Sequence, residues 1–214
     1  MKKTYAEKKT GLVCREGTLD EYVVKEQSSY SPIFELVKGK TVMDIGANIG
    51  AFSYTALKNG ADKVIAFEPD EDNAKLYELN VPKDAKLFRG AVASKTGTAI
   101  LYVNESGKNK GLHSLQQING RTQIEVKTYS FRKALEKFRP QILKIDIEGG
   151  EYDLELHDLP EYIEAICMEI HLSHGDNREM GKKLIKSLKK QFPNVLKDSN
   201  ITDKNWTTLL IAKR

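Results

Sequence analysis

The residues with the clearest chemical meaning lie where a short apolar run gives way to glycines. Asp44 closes the run, and Gly46 and Gly50 follow it in the pattern Asp-x-Gly-x-x-x-Gly. Glycines at this spacing allow a tight turn and let a ligand lie against the backbone, as in nucleotide-binding strand–turn–helix units. A carboxylate where a dinucleotide motif has its first glycine repels phosphate and attracts a cation. S-adenosylmethionine, a sulfonium that also carries an ammonium group, has the matching charge.

A second acid stands at the distance that such a cofactor requires. Glu68-Pro69 follows the apolar run 64–67 and comes 22 residues after Gly46. An acid at the end of the second strand of such a unit can accept hydrogen bonds from both ribose hydroxyls. Ala91 and Val92 form a turn of small residues after the third strand, which suits the flat apolar floor of an adenine site. The predicted cofactor-binding residues are Asp44, Gly46, Ala47, Asn48, Gly50, Phe52, Glu68, Pro69, Ala91, Val92 and Asp146.

Acids and a histidine follow two later strands. Asp146 and Glu148 come after one strand, and Glu169 and His171 end another. Ligands of open α/β sheets bind at the edge where parallel strands end. The predicted catalytic residues are therefore Asp146, Glu148 and His171. We expect His171 to act first as a general base, with Asp146 or Glu148 orienting it or the acceptor.

Other interpretations of these residues stay open. His171 is also compatible with a structural histidine, and Glu151 is expected to be a helix cap. We assign no metal to the site. The alternative is a divalent cation on Asp146, Glu148, Glu169 and His171, which offer hard oxygen ligands and an imidazole.

Taken together, the motifs resemble those of the FkbM-type methyltransferases. The resemblance is collinear over residues 40–171, and the family usually has Gly-Ala where this sequence has Gly149-Gly150. It is carried by residues 42–52, 66–69, 90–94, 97–98, 143–151 and 169–171. The resemblance implies a Rossmann-like class I methyltransferase that binds S-adenosylmethionine. For most members it implies O-methylation of a small molecule or sugar by direct methyl transfer.

Two alternatives belong to other functional classes. A nucleic-acid methyltransferase would hold phosphates with the basic helix Lys182–Lys190 and the loop Lys108–Arg121. A non-catalytic module would bind S-adenosylmethionine without turnover. The sequence has no Asp/Asn-Pro-Pro-Tyr/Phe motif, no Pro-Cys nucleophile and no Cys-x-x-x-Cys-x-x-Cys cluster, which argues against base amino-methylation, C5 methylation and radical chemistry. The lysines of the basic helix lie opposite the apolar stripe Met180/Leu184/Leu188, as in any solvated amphipathic helix.

Strands that alternate with helices must position these residues. The pattern predicts an α/β fold with a mainly parallel sheet and helices on both faces. Strands are predicted at 41–45, 63–67, 86–88, 99–103, 123–126, 142–147, 164–170 and 206–212. Helices are predicted from Ser31 to Gly39, at 51–59 and 70–80, from a Ser130 cap, and at 178–192, with a long polar loop at 104–120. A short appendage, residues 1–38, with a hairpin of residues 11–15 and 18–24, precedes a methyltransferase domain at 39–214.

The composition of the chain excludes several classes of protein. With 214 residues, 40% hydrophobic and 30% charged, the chain is long enough for one packed domain and is not globally disordered. The net charge of +4 is too small to argue for nucleic acid by itself. No apolar run reaches the ~18–20 residues of a membrane helix, and no apolar segment follows the basic start. Cys14 and Cys167 are too few for a disulfide framework, so we expect a cytoplasmic protein.

Overall fold

A computed structural model of the protein describes residues 3–104, 113–115, 120–172, 177–199, 201 and 206–214. The strands are β1 (Thr4–Ala6), β2 (Val13–Arg15), β3 (Thr41–Ile45), β4 (Lys63–Glu68), β5 (Lys86–Arg89), β6 (Ala91–Ala93), β7 (Gly97–Val103), β8 (Thr122–Ser130), β9 (Ile142–Ile145), β10 (Ala165–His171), β11 (Asn194–Asp198) and β12 (Thr207–Lys213). The helices are α1 (Asp20–Glu26), α2 (Ser31–Phe34), α3 (Ala51–Lys58), α4 (Glu71–Asn80), α5 (Phe131–Phe138) and α6 (Asn177–Gln191). Short 3₁₀ turns span Gln27–Tyr30 and Gly150–Asp153.

The main sheet runs in the order β11-β12-β10-β9-β3-β4-β5. Strands β10, β9, β3, β4 and β5 are parallel, whereas β12 is antiparallel to β10 and β11 is antiparallel to β12. The chain builds outward from β3 through β4 to β5, then crosses to β9 on the other side of β3. This reversal leaves a crevice at the carboxyl ends of β3 and β9, where open α/β sheets bind ligands. The predicted α/β fold with a mainly parallel sheet is confirmed.

Both faces of the sheet are covered, because successive residues of a strand point to opposite sides. Met43 packs in the same cluster as residues of α5 and α6, including Leu135 and Leu188. Val42 packs in the cluster that holds Phe34 of α2 and Phe52 of α3. Buried apolar residues on both faces explain why the strands are continuous hydrophobic runs. Helices therefore lie on both faces, as the sequence predicts.

A second sheet, in the order β6-β8-β7, follows β5. Strand β6 was not predicted, since three residues carry almost no periodic signal. Strand β7 begins two residues before the predicted 99–103, and β8 extends well beyond the predicted 123–126. Most of the predicted loop 104–120, including much of Lys108–Arg121, lies outside the described residues.

The prediction for residues 18–24 is wrong. The hairpin pairs β1 with β2, and the segment predicted as its second strand contains helix α1 instead. Asp20 explains the difference: its carboxylate accepts hydrogen bonds from the backbone and guanidinium of Arg15, both at 2.8 Å. The chain therefore turns after β2, and Asp20 and Glu21 favour the helix N-terminus through the macrodipole. These local contacts override the strand propensity of Tyr22-Val23-Val24.

Several boundaries also differ from the prediction. Helix α2 ends at Phe34 instead of reaching Gly39, and Ser31 is its first residue whereas Tyr30 holds the cap position. Strand β9 ends at Ile145, two residues early, and the backbone then turns at Glu148 and Gly149, which have φ values of +52° and +98°. Strand β11 was not predicted. Ser130 caps α5 as expected, accepting from the backbone N–H of Lys133.

Within the described residues, the helices are too short or too polar to cross a membrane. The division of the chain at residue 38 and the cytoplasmic location stay predictions.

Candidate functional site

Two adjoining cavities open at the carboxyl edge of the main sheet. The larger, of about 480 Å³, lies between α1 and the ends of β3, β9 and β10. The smaller, of about 70 Å³, lies beside the ends of β4 and β6. Both cavities are lined by Gly46, Asn48, Asp146 and Glu148. These four residues therefore form the junction between the two spaces.

The turn after β3 brings two loops into contact at this junction. Gly46 has a φ of +80°, and a Cβ atom there would lie 1.8 Å from the carbonyl oxygen of Asp146. Only glycine allows that approach. The backbone N–H groups of Gly46 and Ala47 both donate to the carbonyl of Phe67 at 3.0 Å. The turn is thus fixed between β4 and the loop after β9.

Glu68 ends β4 and faces the smaller cavity with 4% of its surface exposed. Its Oε2 accepts from the backbone of Asn48 and its Oε1 from the backbone of Asp70, both at 2.8 Å. Burial raises the pKa of Glu68 to about 7, although these two hydrogen bonds oppose the shift. Oε1 also accepts from Asn73 Nδ2 at 3.4 Å, whereas Oε2 keeps acceptor capacity for a ligand hydroxyl.

The remaining wall of the smaller cavity is mostly apolar. Ala91 and Val92 are 6% and 2% exposed and line it, together with Pro69, Phe67 and Leu115. The predicted adenine-site residues therefore share one cavity with Glu68. His113 also lines it, with Nε2 3.5 Å from Asp70 Oδ2. His113 was not predicted, because nothing local distinguishes a lone histidine in a polar loop.

Asp44 and Gly50 lie behind the site, not on it. Asp44 is fully buried, its Oδ2 accepts from Ser53 Oγ at 2.7 Å, and it lines neither cavity. Gly50 also lines neither cavity, and a Cβ there would meet Val81 at 2.4 Å. Glycine is needed at position 50 because Tyr77 of α4 and Val81 lie against it. Ala47 and Phe52, the other predicted turn residues, line the larger cavity.

Lys144 connects Asp44 to the site. Its Nζ lies 3.3 Å from Asp44 Oδ1 and 3.6 Å from Asp146 Oδ2. It also donates to the carbonyl of Gly46 at 2.6 Å. Burial alone lowers the pKa of Lys144, but the charges of Asp44 and Asp146 outweigh it and raise the pKa. Lys144 was not predicted as a site residue, although a lysine inside an otherwise apolar strand is a usable signal.

The three predicted catalytic residues come together. His171 Nε2 lies 3.3 Å from Glu148 Oε2 and 3.9 Å from Asp146 Oδ1. Ligand atoms of these three residues lie within 4.8 Å of one another, a spacing compatible with one metal ion. Glu169 does not belong to that set, although it lines the larger cavity.

Glu151 caps the start of a 3₁₀ turn, not of an α-helix, and its carboxylate also holds His171. It is fully buried in the 3₁₀ turn, and its Oε1 accepts from the backbone of His171 at 2.6 Å and lies 3.3 Å from His171 Nδ1. Its Oε2 accepts from the backbone of Gly149 at 2.9 Å. Glu151 therefore fixes the orientation of the His171 ring, which leaves Nε2 directed at Glu148.

The surroundings determine the charges of this cluster. Burial lowers the pKa of His171, but the hydrogen bond to Glu151 and the charge of Glu148 outweigh it and raise the pKa to about 10. His171 is therefore protonated at neutral pH. Burial raises the pKa of Glu148 to about 7, and the nearby charge of Asp146 acts in the same direction. Of this pair, Glu148 is the group able to accept a proton near neutrality.

The outer wall of the larger cavity comes from residues that the sequence analysis did not select. Glu26 and Tyr30 line it from the N-terminal side, and Trp206 lines it from the segment before β12. Tyr30 donates to Glu169 Oε2 at 3.3 Å. No local motif marks these residues, because they meet only through the tertiary fold.

Comparison with known proteins identifies a family. The family model described as "Methyltransferase FkbM domain" matches residues 44–192. Nodulation protein NoeA of Rhizobium meliloti (strain 1021) is 35% identical over 66 residues, which cover 31% of this chain and 12% of NoeA. This chain therefore matches only a small part of that relative.

Solved structures resemble the chain at low identity. The C-terminal domain of precorrin-6Y C5,15-methyltransferase from Rhodobacter capsulatus has a TM-score of 0.46 and 14% identity, over 86% of this chain and 89% of that one. The precorrin 8W decarboxylase of Methanobacterium thermoautotrophicum has a TM-score of 0.48 and 14% identity, over 87% of this chain and 89% of that one.

Proposed function

The chain belongs to the FkbM methyltransferase family, and we propose that it methylates a hydroxyl oxygen of a small molecule or sugar. The family assigns S-adenosylmethionine as methyl donor and a Rossmann-like class I methyltransferase fold. The observation that carries the proposal is the junction of the two cavities at Asp146 and Glu148. A donor in one cavity and an acceptor in the other would meet beside a carboxylate that titrates near neutrality.

The smaller cavity fits the adenosine part of the cofactor. Glu68 has a free acceptor position on Oε2 for one ribose hydroxyl, and the long 3.4 Å contact from Asn73 Nδ2 to Oε1 would yield to the second. Ala91 and Val92 offer an apolar floor for adenine. Gly46, Ala47 and Asn48 would hold the methionine part at the junction, with Asp146 toward its ammonium group. Phe52, on the wall of the larger cavity, would pack against the same part. Asp44 and Gly50 would support this turn from behind.

The methyl donor and the protein contribute different parts of the reaction. S-adenosylmethionine supplies an electrophilic methyl group when bound. Glu148 accepts the proton of the acceptor hydroxyl on a carboxylate oxygen, which makes the oxygen a better nucleophile. The positive charge of His171, whose ring is held by Glu151, lies 3.3 Å from Glu148 and positions it. The rest of the rate comes from alignment of the acceptor oxygen.

Labelled S-adenosylmethionine tests the proposal. The protein is incubated with it and with separate fractions of small metabolites, polysaccharide and RNA. We expect alkali-stable label on oxygen in the metabolite or polysaccharide fraction. Label in RNA, with binding that weakens steeply with salt, would favour the nucleic-acid alternative. Cofactor binding without label in any fraction would favour the non-catalytic module.

A further inference from the structure

Two acids of the larger cavity have no ion-pair partner among the described residues. Glu26 at the end of α1 and Glu169 in β10 both line the cavity. Among the described residues, neither forms an ion pair, whereas Asp146 is paired with Lys144 and Glu148 with His171. Tyr30 donates one hydrogen bond to Glu169, but an uncharged hydroxyl does not neutralise a carboxylate. Lys144 acts on both acids, and His171 acts on Glu169, only from beyond ion-pair distance, so each carboxyl group lacks a direct counter-charge.

Burial and neighbouring negative charges make the ionised forms of Glu26 and Glu169 unfavourable without a cation. Burial raises the pKa of Glu26 to about 8, and the charge of Glu169 adds to the shift. Burial and the charge of Asp146 raise the pKa of Glu169 as well. Without a nearby cation Glu26 keeps its proton at neutral pH, and a positively charged ligand group between the two carboxyl groups would favour the ionised form of both.

We propose that the acceptor is a hydroxylated amine, such as an amino sugar, whose ammonium group binds between Glu26 and Glu169. This inference rests on the proposed O-methyltransferase function, because it names the acceptor class of the same cavity. Glu148 stands at the junction with the smaller cavity, so the amine and the methylated hydroxyl occupy different ends of the acceptor.

The chemistry of the wall favours an organic cation over a metal ion. Metal ligands converge at about 2.0–2.6 Å from one ion, and two carboxylates alone make a poor site. Glu26 and Glu169 do not join the three-residue set whose ligand atoms lie within 4.8 Å of one another. The aromatic residues Tyr22, Tyr30 and Trp206 line the same cavity, and aromatic faces attract ammonium groups. A volume of about 480 Å³ also accommodates a sugar-sized molecule.

Calorimetry with three matched sugars tests the proposal directly. Glucosamine, N-acetylglucosamine and glucose are titrated into the protein saturated with S-adenosylhomocysteine, whose own binding is measured first. We expect glucosamine to bind at least about tenfold more tightly than the two neutral sugars, the advantage of one charge-assisted pair. Glu26→Gln and Glu169→Gln should each reduce this preference to about threefold or less. The exposed Glu125→Gln, a matched loss of charge elsewhere, should keep it.

Other outcomes overturn the proposal. It fails if glucosamine does not bind, if the three sugars bind alike, or if both glutamine variants keep the preference. Binding of MnCl₂ that Glu26→Gln and Glu169→Gln abolish would identify a metal site in place of an amine site. Failure of S-adenosylhomocysteine to bind would count against the proposed function, and the sugar titration repeated without it would still decide the charge of the ligand.

A metabolite extract provides a second test that does not assume one sugar. The extract is methylated with labelled S-adenosylmethionine before and after N-acetylation with acetic anhydride. We expect N-acetylation to remove at least about nine-tenths of the label that small molecules take up, the tenfold preference expressed as product. Equal labelling of both extracts contradicts the amine, while the methyltransferase function stands.

Discussion

At the scale of single residues, the candidate site is governed by how neighbours change the charge of each group. Three carboxylates surround His171, so its pKa rises to about 10 and the ring acts as a cation at neutral pH. Its expected role as general base therefore passes in our proposal to Glu148, whose pKa is about 7. These residues were all predicted from the sequence, but the proposed roles of Glu148 and His171 follow from the distances between His171 and its neighbouring carboxylates.

Glu148→Gln tests that division of work. Removing the proton acceptor should reduce kcat by about 10²–10⁴-fold and leave the Kd of S-adenosylhomocysteine nearly unchanged. In the unmodified protein, kcat should rise as pH increases through about 7, because Glu148 must lose its proton to act. Steady-state kinetics across pH and calorimetry measure both. The exposed Glu161→Gln serves as control, and normal turnover in Glu148→Gln would refute the assignment.

Glu68→Gln tests the cofactor assignment. Its carboxylate is proposed to accept both ribose hydroxyls, and charge-assisted hydrogen bonds contribute roughly 1–3 kcal/mol. We expect the variant to bind S-adenosylhomocysteine more weakly by that amount in calorimetry, while the exposed Glu35→Gln binds normally. An unchanged Kd would place the ribose away from Glu68.

At the scale of elements, the site depends on how closely the turn after β3 approaches the loop after β9. Gly46 leaves no room for a side chain against the carbonyl of Asp146. The same turn donates hydrogen bonds to β4 and to Glu68, so a displacement would move the junction of both cavities.

Gly46→Ala and Gly39→Ala separate backbone strain from this close approach. Both glycines have a positive φ, +80° and +71°, but a Cβ at Gly39 meets nothing within 4 Å. Gly39→Ala should cost about 1–2 kcal/mol of unfolding free energy for the strained conformation alone. Gly46→Ala should cost clearly more and also weaken S-adenosylhomocysteine binding. Urea unfolding and calorimetry of the two variants decide; equal effects would mean that the approach is unimportant.

Helix α1 is attached to the body of the protein by a buried ion pair. Arg15 and Asp20 are 7% and 2% exposed, and Arg15 also donates to Asn73 of α4 at 2.7 Å. Asp20→Asn leaves the guanidinium buried without its counter-charge, which should cost about 3–5 kcal/mol in urea unfolding. Glu16→Gln removes the exposed pair with Lys3 and should cost less than about 1 kcal/mol. A small effect of Asp20→Asn would show that α1 does not depend on this pair.

At the scale of the whole molecule, the N-terminal segment packs against the sheet and completes the larger cavity. Leu12 and Val24 share a buried cluster with Ile49 of the turn and Leu76 of α4. Tyr30 shares another with Phe52. We therefore expect residues 1–38 to unfold together with the rest of the chain.

Buried acids should also make the stability of the whole molecule depend on pH. Glu68 has a folded pKa of about 7 against an ordinary value of 4.5, so the folded state holds its proton more tightly than the unfolded chain. Its contribution is fully present below the unfolded pKa and is lost as pH rises through about 7. The loss of unfolding free energy between about pH 5.5 and pH 8 should therefore be smaller in Glu68→Gln than in the unmodified protein. Identical slopes in urea unfolding would contradict the raised pKa.

The α/β fold and most residues of the candidate site could be predicted from the sequence, because their signals are local. The run 41–50 carries a buried strand and its glycine turn within ten residues, and Glu68 follows the next strand directly. Parallel strands end at one edge, so the prediction that Asp146, Glu148 and His171 meet there followed from strand order alone.

Features that depend on residues distant in the chain could be seen only once the chain was folded. Helix α1 forms where the sequence predicts a strand, since Arg15 holds Asp20. Glu151 is turned inward by His171, and Asp44 by Ser53 and Lys144. The counter-charge of each buried group, and hence its pKa and its chemistry, comes from residues far away in the chain, which no local pattern contains.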